Sequence, residues 1–302
     1  MGDKMYLTLV VMGLVGGVLS GLLGVGGAII MIPMLLYIPP ILNLGSFDMK
    51  YVSGMVMVQV MFSSIIGLLI HRKNKLSSRD LILYLGTSSL IFSGIGAVLS
   101  KFLSGIIQLA IFACLATFAA IAMLLQKEKD SFLDESQDST QLVFNKTIGI
   151  ISSAVVGLLV GIVGAGGGFI LIPLMTTLLQ IPMKIAIGSS LGIVLMSSLT
   201  GFAGKLFTGQ IPIVESVFLV LGSLPGAYLG SIISNKLSPT VLKRLLLLLI
   251  IVIAIRTWYQ VVGALDTIGI ISVFMLYAIV YRHYKINQTK TQVIKNGTSQ
   301  RK

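Results

Sequence analysis

Long apolar stretches alternate with short polar ones along most of the chain. A stretch of about 20 apolar residues is enough for a helix to cross a bilayer core of roughly 30 Å. Stretches of that kind predict membrane-spanning helices at about residues 52–70, 79–100, 105–126, 185–204, 212–234 and 239–260. A further apolar segment occupies about residues 265–281. The pattern predicts an all-α, polytopic membrane protein.

Two further apolar segments, residues 5–38 and 147–180, are longer than these stretches. Each is too long for one upright span of about 20 residues and too short for two. A re-entrant hairpin or a pair of half-helices fits this length better than a straight helix. Both segments therefore predict discontinuous helices.

Glycines cluster inside both of these segments. The first contains Gly24-Val-Gly26-Gly27 and the second Gly164-Ala-Gly166-Gly167-Gly168. Pro33 and Pro173 follow at matching positions, and we expect them to take part in the helix breaks. Non-helical backbone survives at membrane depth only where protein or a watery cavity covers it. Two such interruptions in corresponding halves indicate a transporter's binding site.

The similarity between the halves extends beyond the glycines. Met49-Lys50 matches Met183-Lys184, and Ser63-Ser64 matches Ser197-Ser198. A duplicated unit explains these matches. Each unit opens with a glycine-broken helix and continues with three transmembrane helices. The predicted divisions are a first repeat (1–126), a polar linker loop (127–146), a second repeat (147–260), an extra C-terminal transmembrane helix (261–284) and a basic disordered tail (285–302).

Charged residues make up 11% of the chain, against about 25% in soluble domains. The net charge of +12 comes from basic residues in short loops and in the tail, which is typical of membrane orientation and not of nucleic-acid binding. Basic residues near positions 72–79, near 236–244 and in the tail all face the cytoplasm if each broken segment enters and leaves on one side, or crosses twice. The two halves are then inverted repeats, with the N-terminus outside and the linker inside.

The predicted spans lack a combination of residues suited to catalysis or metal binding. His71 and His283 lie beside loops, and no acid lies deep in a span. We therefore expect no metal site, no catalytic dyad, no cofactor and no enzymatic activity. The single cysteine, Cys114, cannot form an intrachain disulfide.

Two glycine-rich breaks, each followed by a lysine, and the sequence Gly188-Ser189-Ser190-Leu191 in the second half resemble the sulfite exporter TauE/SafE family. The resemblance covers about residues 8–260. It implies a cell-membrane protein that moves small anions, notably sulfite, sulfoacetate and other sulfur-containing or organic anions. The first half departs from the pattern, because Ser53-Gly54-Met55-Val56 stands where Gly-Ser-Ser-Leu would be expected. A symmetric pair of serine contacts is therefore not expected.

The breaks also suggest anion chemistry directly. A half-helix that starts at membrane depth presents unpaired N–H groups and the positive end of its dipole, which bind an oxyanion without a charged side chain. Ser189, Ser190 and Gln59 add polar groups, and Lys50 and Lys184 are candidates for attracting anions. The predicted substrate-binding residues are Gly24, Gly26, Gly27, Gly164, Gly166, Gly167, Gly168, Ser189, Ser190 and Gln59.

Each of these residues also has a purely structural interpretation. Glycines let membrane helices pack closely, and serines bond carbonyls in the preceding turn. Gln59 is equally suited to a helix–helix hydrogen bond, and the two lysines to setting orientation.

The leading hypothesis is a secondary transporter of a small anion that works by alternating access in the lipid bilayer. The alternative is a non-transporting membrane receptor or assembly subunit. A coupling proton or cation, the identity of the anion, the direction of transport and the oligomeric state stay open. The basic C-terminal tail is predicted to be cytoplasmic.

Overall fold

The computed structural model describes residues 2–73, 76–125 and 144–263, and these residues form helices and connecting turns without any strand. The helices are α1 (Gly2–Leu23), α2 (Ala28–Ile41), α3 (Met49–Lys73), α4 (Arg79–Leu99), α5 (Gly105–Leu125), α6 (Lys146–Val163), α7 (Gly168–Thr177), α8 (Met183–Phe207), α9 (Ile213–Lys236) and α10 (Pro239–Gly263), with a 3₁₀ turn at Ser100–Phe102. All except α2 and α7 are long and apolar enough to cross a membrane, which gives eight candidate spans in the described residues. The prediction of an all-α, multi-pass membrane protein is confirmed.

Some predicted segments lie outside the described residues. These are the basic tail, all but the first few residues of the extra C-terminal helix, and all but the last few residues of the linker. Within the described part, α1–α5 and α6–α10 follow the same order: a long helix, a short helix and three long helices. In the first broken segment, α1 alone has 22 residues, which is longer than the half-helix expected there.

The first helix of each half packs against the third long helix of the other half. A methyl group on Gly13, Gly17 or Gly21 of α1 would overlap the carbonyl oxygen of Leu219, Ser223 or Ala227 of α9, respectively. The residue numbers rise together, so α1 and α9 run parallel. In the same way, a methyl group on Gly161 of α6 would overlap Ser93 O of α4. These glycines let two backbones approach more closely than any larger residue would.

Alanine at Gly222 should therefore destabilise the bundle. Its methyl group would overlap the carbonyl oxygen of Val10, which is backbone and cannot move aside without separating α1 from α9. We expect a loss of about 1–3 kcal/mol, the usual range for overpacking, seen as a lower unfolding temperature in detergent. Gly263→Ala is the matched control, because no described residue lies within 4 Å of its added methyl group. Equal unfolding temperatures for the two variants would contradict tight α1–α9 packing.

Helices α3 and α8 form the centre of the bundle. Their most apolar windows are 67% and 72% buried, against 33–50% for the other spans. Gly67 lies beside Leu191, and Gly201 beside Met57, so the two helices run antiparallel. They pass each other near Val60 and Val194, each the twelfth of 25 residues in its helix.

Candidate functional site

Two short non-helical segments separate α1 from α2 and α6 from α7. In the first, φ is +69° at Gly24, +73° at Gly26 and +76° at Gly27. In the second, φ is +79° at Gly164, +64° at Gly166 and +85° at Gly167. This left-handed conformation costs any other L-residue about 1–2 kcal/mol, which explains why the sequence places glycine there. We call residues 24–27 and 164–167 the first and second break.

The two breaks meet between the midpoints of α3 and α8. A methyl group on Gly26 would come within 2.8 Å of Val60 Cγ1 and 3.2 Å of Val194 Cγ1. A methyl group on Gly166 would meet the same two valine side chains. The breaks also touch directly, because a methyl group on Gly168 would come within 2.6 Å of Val25 Cα. Two stretches 140 residues apart in sequence therefore share one location in the centre of the bundle.

Some amides of the breaks are already engaged in protein hydrogen bonds. Gly24 N donates to Ser20 O at 2.9 Å, and Gly164 N to Val160 O at 2.7 Å; both bonds close the preceding helix. Gly167 N donates to Ala165 O at 2.7 Å. In this conformation, therefore, these three glycine amides donate to protein carbonyls and not to a ligand.

The first turns of α2 and α7 provide the remaining amides. The N–H groups of Ala28 and Ile29 in α2, and of Gly168 and Phe169 in α7, have no carbonyl one turn earlier in their own helix. Both helices begin where the breaks meet, so the positive ends of two helix dipoles lie close together. This arrangement of donors suits a small anion.

The prolines do not end a helix. Pro33 lies inside α2 and Pro173 inside α7, and both helices continue beyond them. The interruption predicted at Pro33 and Pro173 is therefore wrong in position: it lies at the glycines. Proline removes one helical hydrogen bond, and neighbouring helices compensate for that loss more readily than for a run of left-handed residues.

Serine hydroxyls hold the carbonyl groups of both breaks. Ser190 Oγ lies 2.8 Å from Gly24 O and 2.8 Å from Ile187 O, and donates to these carbonyls. Ser197 Oγ donates to Gly166 O at 3.2 Å. Ser189 is turned elsewhere, because its Oγ accepts the N–H of Ser78 at 2.9 Å. Ser190 thus contacts the first break, whereas Ser189 ties the start of α8 to the loop before α4.

Gln59 lies beside the start of α2. Its side chain is fully buried, and its Nε2 would be 3.1 Å from a methyl group on Gly27. Nε2 donates weakly to Ser63 Oγ at 3.5 Å, while Oε1 has no hydrogen-bond partner among the described residues. Gln59 therefore places an unpaired acceptor, Oε1, and a weakly engaged donor, Nε2, beside the break.

Lys50 and Lys184 lie away from the breaks. Each is the second residue of its helix, and since α3 and α8 are antiparallel, the two lysines occupy opposite ends of the bundle. Lys50 Nζ donates to Lys101 O at 3.0 Å. Neither lysine is brought together with the glycines.

One basic residue that was not among the predicted site residues, Lys205, is completely buried. Lys205 is the third residue from the end of α8, and its side chain is 0% exposed. His71 occupies the same position in α3, beside the loop that follows this helix, and its side chain is 1% exposed. The backbone turns also match, since Leu76 N donates to His71 O and Gln210 N to Lys205 O, both at 3.0 Å. The available signal was a lone lysine near the end of an apolar stretch, 134 residues after a histidine.

The sequence model described as "Sulfite exporter TauE/SafE" matches residues 9–257 of the chain. The probable membrane transporter protein YunE of Bacillus subtilis is 27% identical over 269 residues, covering 84% of this chain and 98% of the relative. A probable membrane transporter protein of Methanocaldococcus jannaschii is 25% identical over 248 residues, covering 79% and 90%. No solved structure matches the chain.

Proposed function

This chain belongs to the sulfite exporter TauE/SafE family, and from that membership we propose that it is a secondary transporter of a small anion. The family and its relatives indicate a membrane transporter, and the eight candidate spans are those of a multi-pass membrane protein. The proposed substrate is sulfite, an organosulfonate or a related organic anion. It binds where the two breaks meet and is exposed to each side of the membrane in turn.

The observation that carries this proposal is the meeting of two helix N-termini at the centre of the bundle. The amides of the first turns of α2 and α7 offer several donors to one location, and a sulfite or sulfonate group has three oxygens to accept them. Gly26 and Gly166 place no side chain of their own over the backbone, and Val60 and Val194 face them there. Gln59 adds a side-chain amide beside the start of α2.

Alternating access is supported by the relation between the halves. The equivalent helices α3 and α8 run antiparallel, as expected for inverted repeats. A methyl group on Gly24 would come within 2.9 Å of Ser190 Oγ, near the start of α8, and one on Gly164 would meet Ser53, near the start of α3. The two breaks therefore approach the centre from opposite ends. Rocking one half against the other then opens the site to one side at a time.

The distribution of basic residues supports an orientation for the bundle. The end where α3 and α9 finish and α4 and α10 begin carries Arg72, Lys73, Arg79, Lys236, Lys243 and Arg244. We propose that this end is cytoplasmic, because short cytoplasmic loops are enriched in lysine and arginine. The other end, where α8 finishes, is called the outer end below.

Cysteine labelling tests this orientation. Cys114→Ala removes the single cysteine, and a new cysteine is then placed at the exposed residue Ser46 or Ser238. Since these residues lie in turns at opposite ends of the bundle, a membrane-impermeant maleimide added to intact cells should label the cysteine at 46 and not the one at 238. Equal labelling at both positions, or the reverse pattern, contradicts the proposed orientation.

Transport is tested in proteoliposomes that contain the purified protein. We expect saturable uptake of labelled sulfite, competition by small organosulfonates and no competition by cations of similar size. Imposing a pH gradient or a sodium gradient in parallel samples identifies the coupling ion. Protein-free liposomes are the control. If no anion in such a panel shows saturable flux, the transporter proposal fails and a receptor or assembly role replaces it.

A further inference from the structure

Lys205 is a buried amine, and its hydrogen-bond partners in the described residues are all neutral. Its Nζ donates to Ser100 Oγ at 3.1 Å, to Ile162 O at 3.4 Å and to Gln210 Oε1 at 3.4 Å. Only the bond to Ser100 has an ordinary length, and the other two lie at the weak end of the range. Within residues 2–73, 76–125 and 144–263, Lys205 is the only lysine, arginine, aspartate or glutamate with a buried side chain.

An ammonium group in this environment lacks a counter-charge. The effective cost of removing an ion from water is several kcal/mol unless a partner compensates for it. Ile162 O lies in the last turn of α6, and the dipole of a helix C-terminus contributes about 0.3–1 kcal/mol in exposed positions and up to about 2 kcal/mol in partly buried ones. That is less than the cost. Charged side chains inside spans usually mark the path of a substrate or ion.

Further buried polar groups lie close to the partners of this amine, and two of their atoms, an amide oxygen and a hydroxyl, are unpaired among the residues that the structure describes. Gln108 is fully buried; its Nε2 donates to Ser100 O at 2.8 Å, and its Oε1 has no partner in the described part of the chain. Ser53 Oγ is likewise buried and unpaired there. Five elements thus bring polar side chains or a carbonyl to one place: the start of α3, the 3₁₀ turn, α5, the end of α6 and the turn after α8. We call Ser100, Gln108, Lys205 and Gln210 the Lys205 cluster.

The Lys205 cluster adjoins the second break. Ile162, which accepts from Lys205, precedes Gly164 by two residues. A methyl group on Gly164 would overlap Ser53, and one on Gly54 would overlap the carbonyl oxygen of Gln210. The cluster therefore lies between the outer end of the bundle and the place where the breaks meet.

From this arrangement we propose that the Lys205 cluster is a second anion subsite, at the outer end of the pathway, which takes the same small oxyanion as the breaks. Lys205 supplies the positive charge and donates directly to the anion. The Nε2 groups of Gln108 and Gln210, which donate to Ser100 O and Thr208 Oγ1 in this conformation, turn to the anion once it enters. This subsite rests on the proposed transport function and adds a charged contact to it. His71, the equivalent residue in the other half, gives the cytoplasmic end a residue of different chemistry, so the two ends of the pathway are not equivalent.

The subsite is tested by anion-induced stabilisation of the purified protein. The unfolding temperature is measured across a titration of sulfite, methanesulfonate or acetate at constant ionic strength, for the wild type, Lys205→Arg, Lys205→Gln and Lys205→Met. We expect a saturable rise for the wild type, a similar apparent Kd for Lys205→Arg and a Kd raised about tenfold for both neutral variants, as for loss of one charge-assisted hydrogen bond. Lys101→Met is the matched control, because Lys101 follows Ser100 but is exposed.

The outcomes distinguish three cases: an anion subsite at Lys205, a purely structural role for Lys205, and failure of the transport proposal. If the neutral variants shift the unfolding temperature without anion but keep the wild-type Kd, Lys205 only caps α6 and the subsite is wrong. An equal loss in Lys101→Met would assign the effect to surface charge and also overturn it. Should one neutral variant fail to fold, the other decides. A wild type that neither binds nor transports any anion refutes the transport proposal itself.

Discussion

Alanine at Gly26 is expected to reduce anion flux about tenfold or more, because each hydrogen bond to a charged group that is lost costs about 1.5–3 kcal/mol. The added methyl group would occupy the space between Val60 and Val194 where the breaks meet, and would hold the anion away from the amides of α2. The measurement is initial uptake by proteoliposomes containing equal amounts of protein.

Backbone strain is the main competing explanation, and a control variant addresses it. Gly45 also has a left-handed φ, +106°, but none of the residues that the structure describes lies within 4 Å of its added methyl group. Gly45→Ala should therefore keep its flux within about twofold, since such strain costs only about 1–2 kcal/mol of folding stability. Equal losses of flux in the two variants would mean that strain, and not the space at the break, is responsible.

The clash with Val60 is a second competing explanation. The methyl group on Gly26 would lie 2.8 Å from Val60 Cγ1, so Val60→Ala removes the contact. In the double variant Gly26→Ala/Val60→Ala we expect the unfolding temperature to recover towards that of Val60→Ala, while flux stays low. Recovery of both would indicate that Gly26 serves packing alone.

Leucine at Gln59 is expected to raise stability and lower transport. Oε1 of Gln59 is buried without a partner in the described residues, and leaving such a group unsatisfied costs about 1–3 kcal/mol. An apolar side chain of similar size removes that cost. If Gln59 donates to the anion, flux at low substrate concentration should fall about tenfold, the equivalent of about 1.4 kcal/mol.

The opposite signs of these two effects make the Gln59 prediction specific. Ser198→Ala is the control, because Ser198 Oγ is bonded within its own helix to Leu195 O at 3.0 Å and should affect neither property strongly. A Gln59→Leu variant that is less stable and transports normally would assign Gln59 to helix packing.

The sequence was sufficient to predict an all-helical chain with membrane-spanning segments, and it contains a further local signal at the glycines. A span must satisfy all its backbone groups internally, so apolar length alone marks a transmembrane helix. Left-handed backbone requires glycine, so the positions of Gly24, Gly26, Gly164 and Gly166 mark the interruptions. Both signals are local, and both are strong in a chain with so few polar residues.

The remaining features depend on contacts between distant segments. Periodicity does not reveal that α1 packs on α9 and α6 on α4, because glycine stripes fit any close neighbour. Proline at positions 33 and 173 suggested an interruption that the surrounding helices prevent. Lys205 was missed from the sequence, because its burial depends on Ser100 and Ile162, which lie 105 and 43 residues away, as well as on the nearby Gln210.

The most direct test of anion binding by the breaks observes their amides. The chain has 33 glycines, so ¹⁵N-glycine labelling of the protein in detergent gives a spectrum that single-residue variants can assign. During a sulfite titration we expect saturable shifts of the Gly26 and Gly168 amide signals, with the same Kd as transport, while the Gly45 signal stays unchanged. Saturable transport without any shift of the signals from either break would contradict the proposed binding site.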